Sequence, residues 1–180
     1  MAYIDLGLDE KKFPGITGPL RFRPETAGPL NALAEALLHA PHPTFAAGER
    51  ELIAAYVSGL NACAFCYASH AASAAEQLDG GMPLVSAACA GHEDASLGDR
   101  VRALLAIAAS VQRGGHEVTL AQADAARAAG ATDVEIHDTV LIAAAFCMFN
   151  RYVDGLGTVL PDDPAVYARR ARAVAADGYL

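Results

Sequence analysis

Apolar side chains recur at three- and four-residue spacing through most of the chain, and this helical period restricts the possible folds more than any other feature. Leucines carry the period from Pro29 to Leu38, and a second apolar face runs from Gly48 to Leu60. We find no convincing run of alternating strand residues. The sequence therefore predicts an all-α fold, and 180 residues suit a single domain.

Glycines, prolines and capping residues predict where the helices begin and end. Thr119 with Gln122, and Thr132 with Glu135, fit capping boxes. Asp163 before a proline fits the start of the last helix. The predicted helices cover about 29–40, 48–60, 63–78, 82–90, 99–113, 120–129, 133–156 and the stretch after 163, with Ser96 to Asp99 as a further cap.

Residues 1–27 are rich in glycine and proline and lack a regular period, so they predict an irregular N-terminal arm. The arm carries several large apolar side chains. We expect it to pack on the helical domain, residues 28–180, or on a neighbouring subunit.

Composition excludes some functions and favours others. A formal net charge of −8 leaves no cationic footprint for nucleic acid. The longest apolar stretch, Val140 to Phe149, is far shorter than the ~20 residues that a bilayer requires. The N-terminal residues do not resemble a secretory signal, so we expect a cytoplasmic protein. A hydrophobic content of 53% is consistent with apolar surface buried between subunits.

Two cysteines in a CxxC arrangement, Cys63 and Cys66, fall at the predicted start of a helix. The unpaired N–H groups and the positive end of the dipole at a helix N-terminus stabilise a thiolate. Cysteines in such CxxC motifs therefore have lowered pKa values. The spacing also allows the two sulfurs to form a disulfide. In the cytoplasm such a pair indicates redox catalysis or metal binding more often than a structural disulfide.

A histidine and a glutamate complete this group. His70 follows Cys66 by four residues and shares its helix face, so its imidazole can accept the thiol proton. Glu51 and His70 lie at similar distances from a turn near Asn61, and two antiparallel helices would bring them to the same depth. A carboxylate there would orient the histidine and raise its basicity.

A glutamate, a CxxC pair twelve residues later and a histidine four residues after the second cysteine resemble the core of the alkylhydroperoxidase D and carboxymuconolactone decarboxylase family. The similarity is greatest to its peroxidase-related branch. The stretches at 21–38, 48–72 and 130–156 read like that branch. The resemblance implies an alkylhydroperoxidase D-like helical bundle and a homo-oligomer, a trimer or hexamer.

The same resemblance implies residue roles. Cys66 corresponds to the peroxidatic cysteine and Cys63 to the resolving cysteine, while His70 and Glu51 belong to a proton relay. The implied reaction is reduction of a hydroperoxide, or of a disulfide, with an external dithiol or protein reductant and no cofactor. One position departs from the family pattern, because Phe65 replaces a relay histidine.

Two alternatives stay open on the sequence. A cofactor-free lyase or decarboxylase-type relative would use the acid–base groups without the cysteines. A zinc-stapled structural module would combine the CxxC pair with Cys89 and His92.

The remaining cysteines and the other polar residues are expected in structural positions. Cys89 and Cys147 are predicted in the core, and His137 in the core or in a subunit contact. The polar residues that interrupt the apolar helix near its end predict either an ion-pair network at an interface or pocket, or a solvated stripe; they are Asn150, Arg151 and Asp154.

Overall fold

The computed structural model describes residues 1–91 and 96–180, and in this part of the chain helices alternate with short turns, without a β-strand. The all-α prediction is confirmed. The helices are α1 (Thr17–Phe22), α2 (Pro24–Ala34), α3 (Ala47–Leu60), α4 (Ala64–Gln77), α5 (Gly81–Cys89), α6 (Asp99–Arg113), α7 (Leu120–Ala128), α8 (Asp133–Gly155) and α9 (Pro164–Asp177), with a π-helical turn at Glu35–His39 and a 3-10 turn at Gly115–Glu117.

The core forms where α3 packs against α4, α6 and α8. Fully buried aliphatic side chains from three of these helices meet there, among them Leu52, Leu104, Ile107 and Ile142. Helix α4 also packs against α9 on its other side. The segment that carries the CxxC pair is therefore held between the core and the last helix.

Helix starts follow the predicted caps in three of four cases. Thr119 and Thr132 form capping boxes, and Asp163 accepts a hydrogen bond from the Ala165 N–H. The cap predicted at Ser96 is wrong, because α6 begins at Asp99 and its N-cap is Gly98, which has no side chain to make the bond.

The prediction of an irregular chain throughout 1–27 is wrong in its second half, where α1 forms and α2 begins at Pro24. Proline is favourable at the first helical position, because its missing N–H has no partner there in any case. The glycine and proline that suggested irregular chain, Gly18 and Pro19, lie buried within α1.

The predicted packing of the arm onto the helical domain is confirmed. Leu6 is buried, and the Tyr3 N–H bonds to the Leu156 carbonyl at 2.8 Å. Gly15 has a φ of +57° and lies against Phe65, whose ring atoms would be 2.2 Å from an added Cβ. Only glycine fits both the backbone conformation and the close approach.

A carboxylate in the π-helical turn fixes the segment that follows α9. Glu35 Oε1 lies 2.7 Å from His39 Nδ1, and Glu35 Oε2 accepts the Tyr179 N–H at 2.7 Å. These hydrogen bonds, the backbone one first, hold the pKa of Glu35 below its usual value. The residues after α9 are thereby held against the end of α2.

The longest helix, α8, has 23 residues and carries buried polar groups along its length. Near its start, the Glu135 carboxylate accepts a hydrogen bond from Arg100 at 2.6 Å, and Arg100 also pairs with Glu49 at 2.5 Å. Within the described residues, no helix combines the length and apolar character needed to cross a membrane.

Candidate active site

The two cysteines lie at the start of α4, where the turn from α3 delivers them. Cys63 is the N-cap and Cys66 lies in the first turn. Ala62 makes the turn with a φ of +58°, a conformation that alanine rarely adopts. Both cysteines are free thiols and both are buried, with 0% and 3% of their surface exposed. The predicted position at a helix N-terminus is confirmed.

The two thiols have opposite tendencies to ionise. The Cys63 thiol hydrogen-bonds to Cys66 and lowers the pKa of Cys66, an effect reinforced by the charge of His70 and by Asn150. Burial opposes this effect. The same hydrogen bond, together with burial, raises the pKa of Cys63. Cys66 is thus the sulfur that becomes a thiolate, and Cys63 is the thiol that keeps its proton.

A histidine and a carboxylate meet next to these sulfurs. His70 Nδ1 lies 2.7 Å from Glu51 Oε2, and Glu51 is 1% exposed. Because a carboxylate only accepts hydrogen bonds, Nδ1 carries the proton of the neutral ring, and its Nε2 then has the free lone pair. The predicted proximity of Glu51 and His70 is confirmed; their catalytic role stays a prediction.

Tyr179 completes the surroundings of Glu51. Its hydroxyl donates to Glu51 Oε1 at 2.5 Å, and its ring lies 6.4 Å from the His70 ring, inclined by 21°. Burial raises the pKa of Tyr179 well above its usual value, and the Glu51 charge adds to this. Tyr179 therefore remains a donor. No local sequence pattern predicts this contact, which spans 128 positions.

Asn150 places a second buried polar group beside Cys66. Its amide nitrogen donates to Ser58 Oγ at 3.0 Å, and its carbonyl oxygen accepts from Asn61 at 2.8 Å. Asn61 in turn accepts from Gln112 at 2.9 Å. Hydrogen bonding from Asn150 also helps to lower the pKa of Cys66. Asn150 thus lies in a buried hydrogen-bond network, whereas the ion-pair network predicted for this helix end is not found among the described residues.

The other two residues of that helix end are exposed. Arg151 donates to the Cys147 carbonyl at 2.7 Å within the same helix. Asp154 raises the pKa of both thiols as one of the smaller causes, through a hydrogen bond with Cys63 and through its charge near Cys66. The solvated-stripe reading therefore describes Arg151 and Asp154.

Cys66 and His70 open onto the same cavity. The space that it offers to water-sized molecules is about 50 Å³, and Ser69, Phe65 and Tyr179 also line it. Phe65, where the family pattern has a histidine, forms part of the apolar wall and packs on Tyr167 with ring centres 6.0 Å apart. A small molecule in this cavity can reach both the sulfur and the imidazole.

Cys63 borders a different cavity. That cavity is lined by the α3–α4 turn and by α5, and it includes Tyr67 and Cys89. Burial raises the pKa of Cys89 to about 11. Cys89 and Cys147 are partly buried and pack against the core, broadly as predicted.

The core alternative predicted for His137 is wrong. Its side chain is 70% exposed, and Nδ1 lies 2.8 Å from Asp138 Oδ1. His137 lies on the side of α8 that faces solvent. Leu141, four residues later on the same side of the helix, is exposed as well.

The zinc alternative finds no support in the described residues. No group of three or more His, Cys, Asp or Glu residues in 1–91 and 96–180 could hold a metal ion. His92, the fourth ligand of that hypothesis, lies outside the described residues.

Comparison with known proteins finds one matching family model and similar solved structures. The model of the carboxymuconolactone decarboxylase family matches residues 83–159. A solved structure from Ralstonia eutropha JMP134, described as an alkylhydroperoxidase AhpD core and an uncharacterized peroxidase-related protein, is 27% identical with a TM-score of 0.77. The alignment covers 88% of this chain and 81% of that one.

A second structure, an uncharacterized peroxidase-related protein from Silicibacter sp. TM1040, is 25% identical with a TM-score of 0.79. The alignment covers 95% of this chain and 96% of the chain in that structure. These similarities confirm the predicted resemblance to the alkylhydroperoxidase D and carboxymuconolactone decarboxylase family and to its peroxidase-related branch. No curated protein matches it.

The match to the carboxymuconolactone decarboxylase family model runs from α5 to the end of α8, so it begins after His70. It supports the resemblance to that family through the helices that pack behind the cysteines. The group of Glu51, Cys63, Cys66 and His70 lies outside the matched range, and the argument for its chemistry rests on its geometry.

Proposed function

We propose that the protein is a thiol-dependent peroxidase that reduces organic hydroperoxides with Cys66 and Cys63. One observation carries the proposal: the sulfur with the lowered pKa and the imidazole of His70 line one cavity, and Glu51 holds that imidazole with Nε2 free. A thiolate is the nucleophile of such a reaction, and its proton needs a nearby acceptor.

The first step is attack of the Cys66 thiolate on the outer oxygen of a hydroperoxide. An S–O bond forms and the O–O bond breaks, leaving Cys66 as a sulfenic acid and releasing an alkoxide. His70 returns the proton that it took from Cys66, so the alkoxide leaves as an alcohol. Glu51 stabilises the imidazolium between these two transfers.

The second step closes the disulfide. The Cys63 sulfur attacks the Cys66 sulfenic acid, the S–S bond forms and water leaves. An external dithiol then reduces the disulfide by exchange and becomes oxidised itself. The cycle needs no cofactor in this chain. We also propose, from the family resemblance, that the protein acts as a cytoplasmic homo-oligomer.

The test is a thiol count before and after one equivalent of cumene hydroperoxide. The wild-type chain has four free thiols, and we expect two to be lost as the disulfide forms. Cys66→Ser should lose none of its three. Cys63→Ser should lose one, as a sulfenic acid that dimedone traps. The matched control, Cys147→Ser, should still lose two.

An unchanged thiol count in the wild-type protein would contradict the proposal. The lyase alternative predicts the opposite dependence on the cysteine. Cys66→Ser would keep the lyase activity, while Glu51→Gln would lose it. A single Cys66 variant therefore separates the two functions.

A further inference from the structure

Ser69 has a buried hydroxyl that no other group satisfies. It is 7% exposed, and its Oγ has no hydrogen-bond partner in the described part of the chain. Ser69 follows Cys66 by three residues and so shares its side of α4. It lines the same cavity as Cys66 and His70. A buried hydroxyl normally has a partner, so this one indicates a place where a ligand oxygen can bind.

The middle of the cavity is apolar. Helices α1, α2, α4, α8 and α9 each contribute to its walls, and the larger apolar residues among them are Leu20, Leu30, Phe65, Phe146, Phe149 and Val174. Such walls favour a hydrocarbon chain over a small hydrophilic peroxide. Burial of the chain's apolar surface is favourable, whereas a hydrophilic peroxide would lose hydrogen bonds to water without finding partners in the wall.

The outer end of the cavity carries a cation and an amide. Arg170 and Asn31 line both this cavity and the adjoining surface groove, to which Arg21 also belongs. Arg170 is half-buried and forms no ion pair within residues 1–91 and 96–180. Asp177 also lines the groove, but it does not pair with Arg170.

The Asn31 amide likewise makes no hydrogen bond to any described residue. A guanidinium and a carboxylate form two parallel hydrogen bonds, and an amide can add a third.

We propose that this cavity binds an amphipathic hydroperoxide with a carboxylate head: the carboxylate pairs with Arg170 and Asn31, the chain lies along the apolar wall, and the peroxide accepts a hydrogen bond from Ser69. The inference rests on the proposed peroxidase function and names its substrate class. Ser69 donates to the oxygen that leaves with the alkyl group, while Cys66 attacks the other oxygen. Ser69 is thus a residue that positions the O–O bond.

Binding can be tested without peroxide chemistry. Isothermal titration of the full chain compares octanoate with octanamide, which has the same length and no charge. We expect Arg170→Gln to weaken octanoate binding at least tenfold and to change octanamide binding less than twofold. The matched control is Arg169→Gln, an exposed neighbour on the same helix that lines none of the cavities described above; it should bind octanoate like the wild type.

Ser69 is tested by two rates at Cys66. Ser69→Ala should slow oxidation of Cys66 by a carboxylate-bearing hydroperoxide about tenfold and leave its alkylation by iodoacetamide within twofold. Ser69→Thr keeps the hydroxyl and should restore most of the oxidation rate. An equal loss of both rates in Ser69→Ala would mean a structural role and would overturn the assignment to the peroxide.

The outcomes separate this inference from the proposed function. Thiol loss with cumene hydroperoxide but no octanoate binding, or equal binding of octanoate and octanamide, overturns the carboxylate site alone. Octanoate binding that depends on Arg170, with an unchanged thiol count, supports the carboxylate site and overturns the peroxidase.

Discussion

The hydroxyl of Tyr179 donates a hydrogen bond to one oxygen of Glu51, and the imidazole of His70 occupies the other. The carboxylate therefore has two partly buried partners in different parts of the chain: His70 on α4, four residues after Cys66, and Tyr179 after α9. This arrangement fixes the direction in which Glu51 faces and thereby the tautomer of His70. It makes the segment after α9 part of the site.

Removing the hydroxyl of Tyr179 should destabilise the protein. Tyr179→Phe keeps the ring beside His70 but leaves a buried carboxylate oxygen without its donor, which costs about 1–3 kcal/mol. Denaturant unfolding measures this change. Tyr152→Phe is the control, since the Tyr152 hydroxyl makes no hydrogen bond to a described residue and its loss should change stability little. Equal effects of the two variants would contradict the role of the Glu51 contact.

The reactivity of Cys66 should depend on Cys63. Cys63→Ala removes the largest contribution to the lowered pKa of Cys66, so the pKa rises and less thiolate is present at neutral pH. A lost hydrogen bond to a charged group, about 1.5–3 kcal/mol, corresponds to alkylation at least about tenfold slower. The measurement is the rate of Cys66 alkylation against pH. The profile should move to higher pH, while Cys89→Ala leaves it unchanged.

Iodoacetamide should label the Cys66 thiol before the Cys89 thiol at pH 7. Cys66 has a lowered pKa and lines a cavity, whereas burial raises the pKa of Cys89 to about 11 and leaves it almost wholly protonated. The thiolate is the reactive form, so Cys66 should react before Cys89. Peptide mass spectrometry over time measures the order. Labelling of Cys89 before Cys66 in the folded protein would contradict the assigned ionisation.

Asn150 should matter for both stability and reactivity. Asn150→Ala removes the hydrogen bonds that Asn150 makes with Ser58 and Asn61 and creates a small cavity, so the unfolding free energy should fall by about 2–4 kcal/mol. The pKa of Cys66 should also rise, because a hydrogen bond to it is lost. Arg151→Ala, at the exposed neighbouring position, should change the stability by less than about 0.5 kcal/mol.

The ion pairs of Arg100 should stabilise the fold without affecting the cysteines. Arg100→Met leaves the buried Glu135 carboxylate without its cation, which typically costs about 3–5 kcal/mol. Arg127→Met breaks exposed ion pairs with Asp133 and Asp124 and should cost under about 1 kcal/mol. Denaturant unfolding of both variants tests this difference, and Cys66 alkylation in the folded Arg100 variant should match the wild type.

The helices and the inner part of the site could be predicted because their determinants are local. Capping boxes and glycines set most helix boundaries, and the short α3–α4 turn fixes the depth at which Glu51 meets His70. The start of α2 was missed because a proline that breaks a helix interior is favourable in its first turn.

The outer part of the site could not be predicted because it depends on how distant helices pack. Tyr179 reaches Glu51 only after α9 has packed on α4, and Asn150 reaches Ser58 across 92 positions. The unsatisfied hydroxyl of Ser69 is likewise a property of the packed helices. In the sequence it is one serine among several in an alanine-rich segment.

Because Cys66 and Cys63 border separate cavities on different sides of α4, the two half-reactions of the proposed peroxidase would use two routes into the molecule. An oxidant approaching Cys66 and a thiol approaching Cys63 would not compete for one opening. The alcohol would then leave through the cavity at Cys66 while the dithiol binds at the cavity beside Cys63.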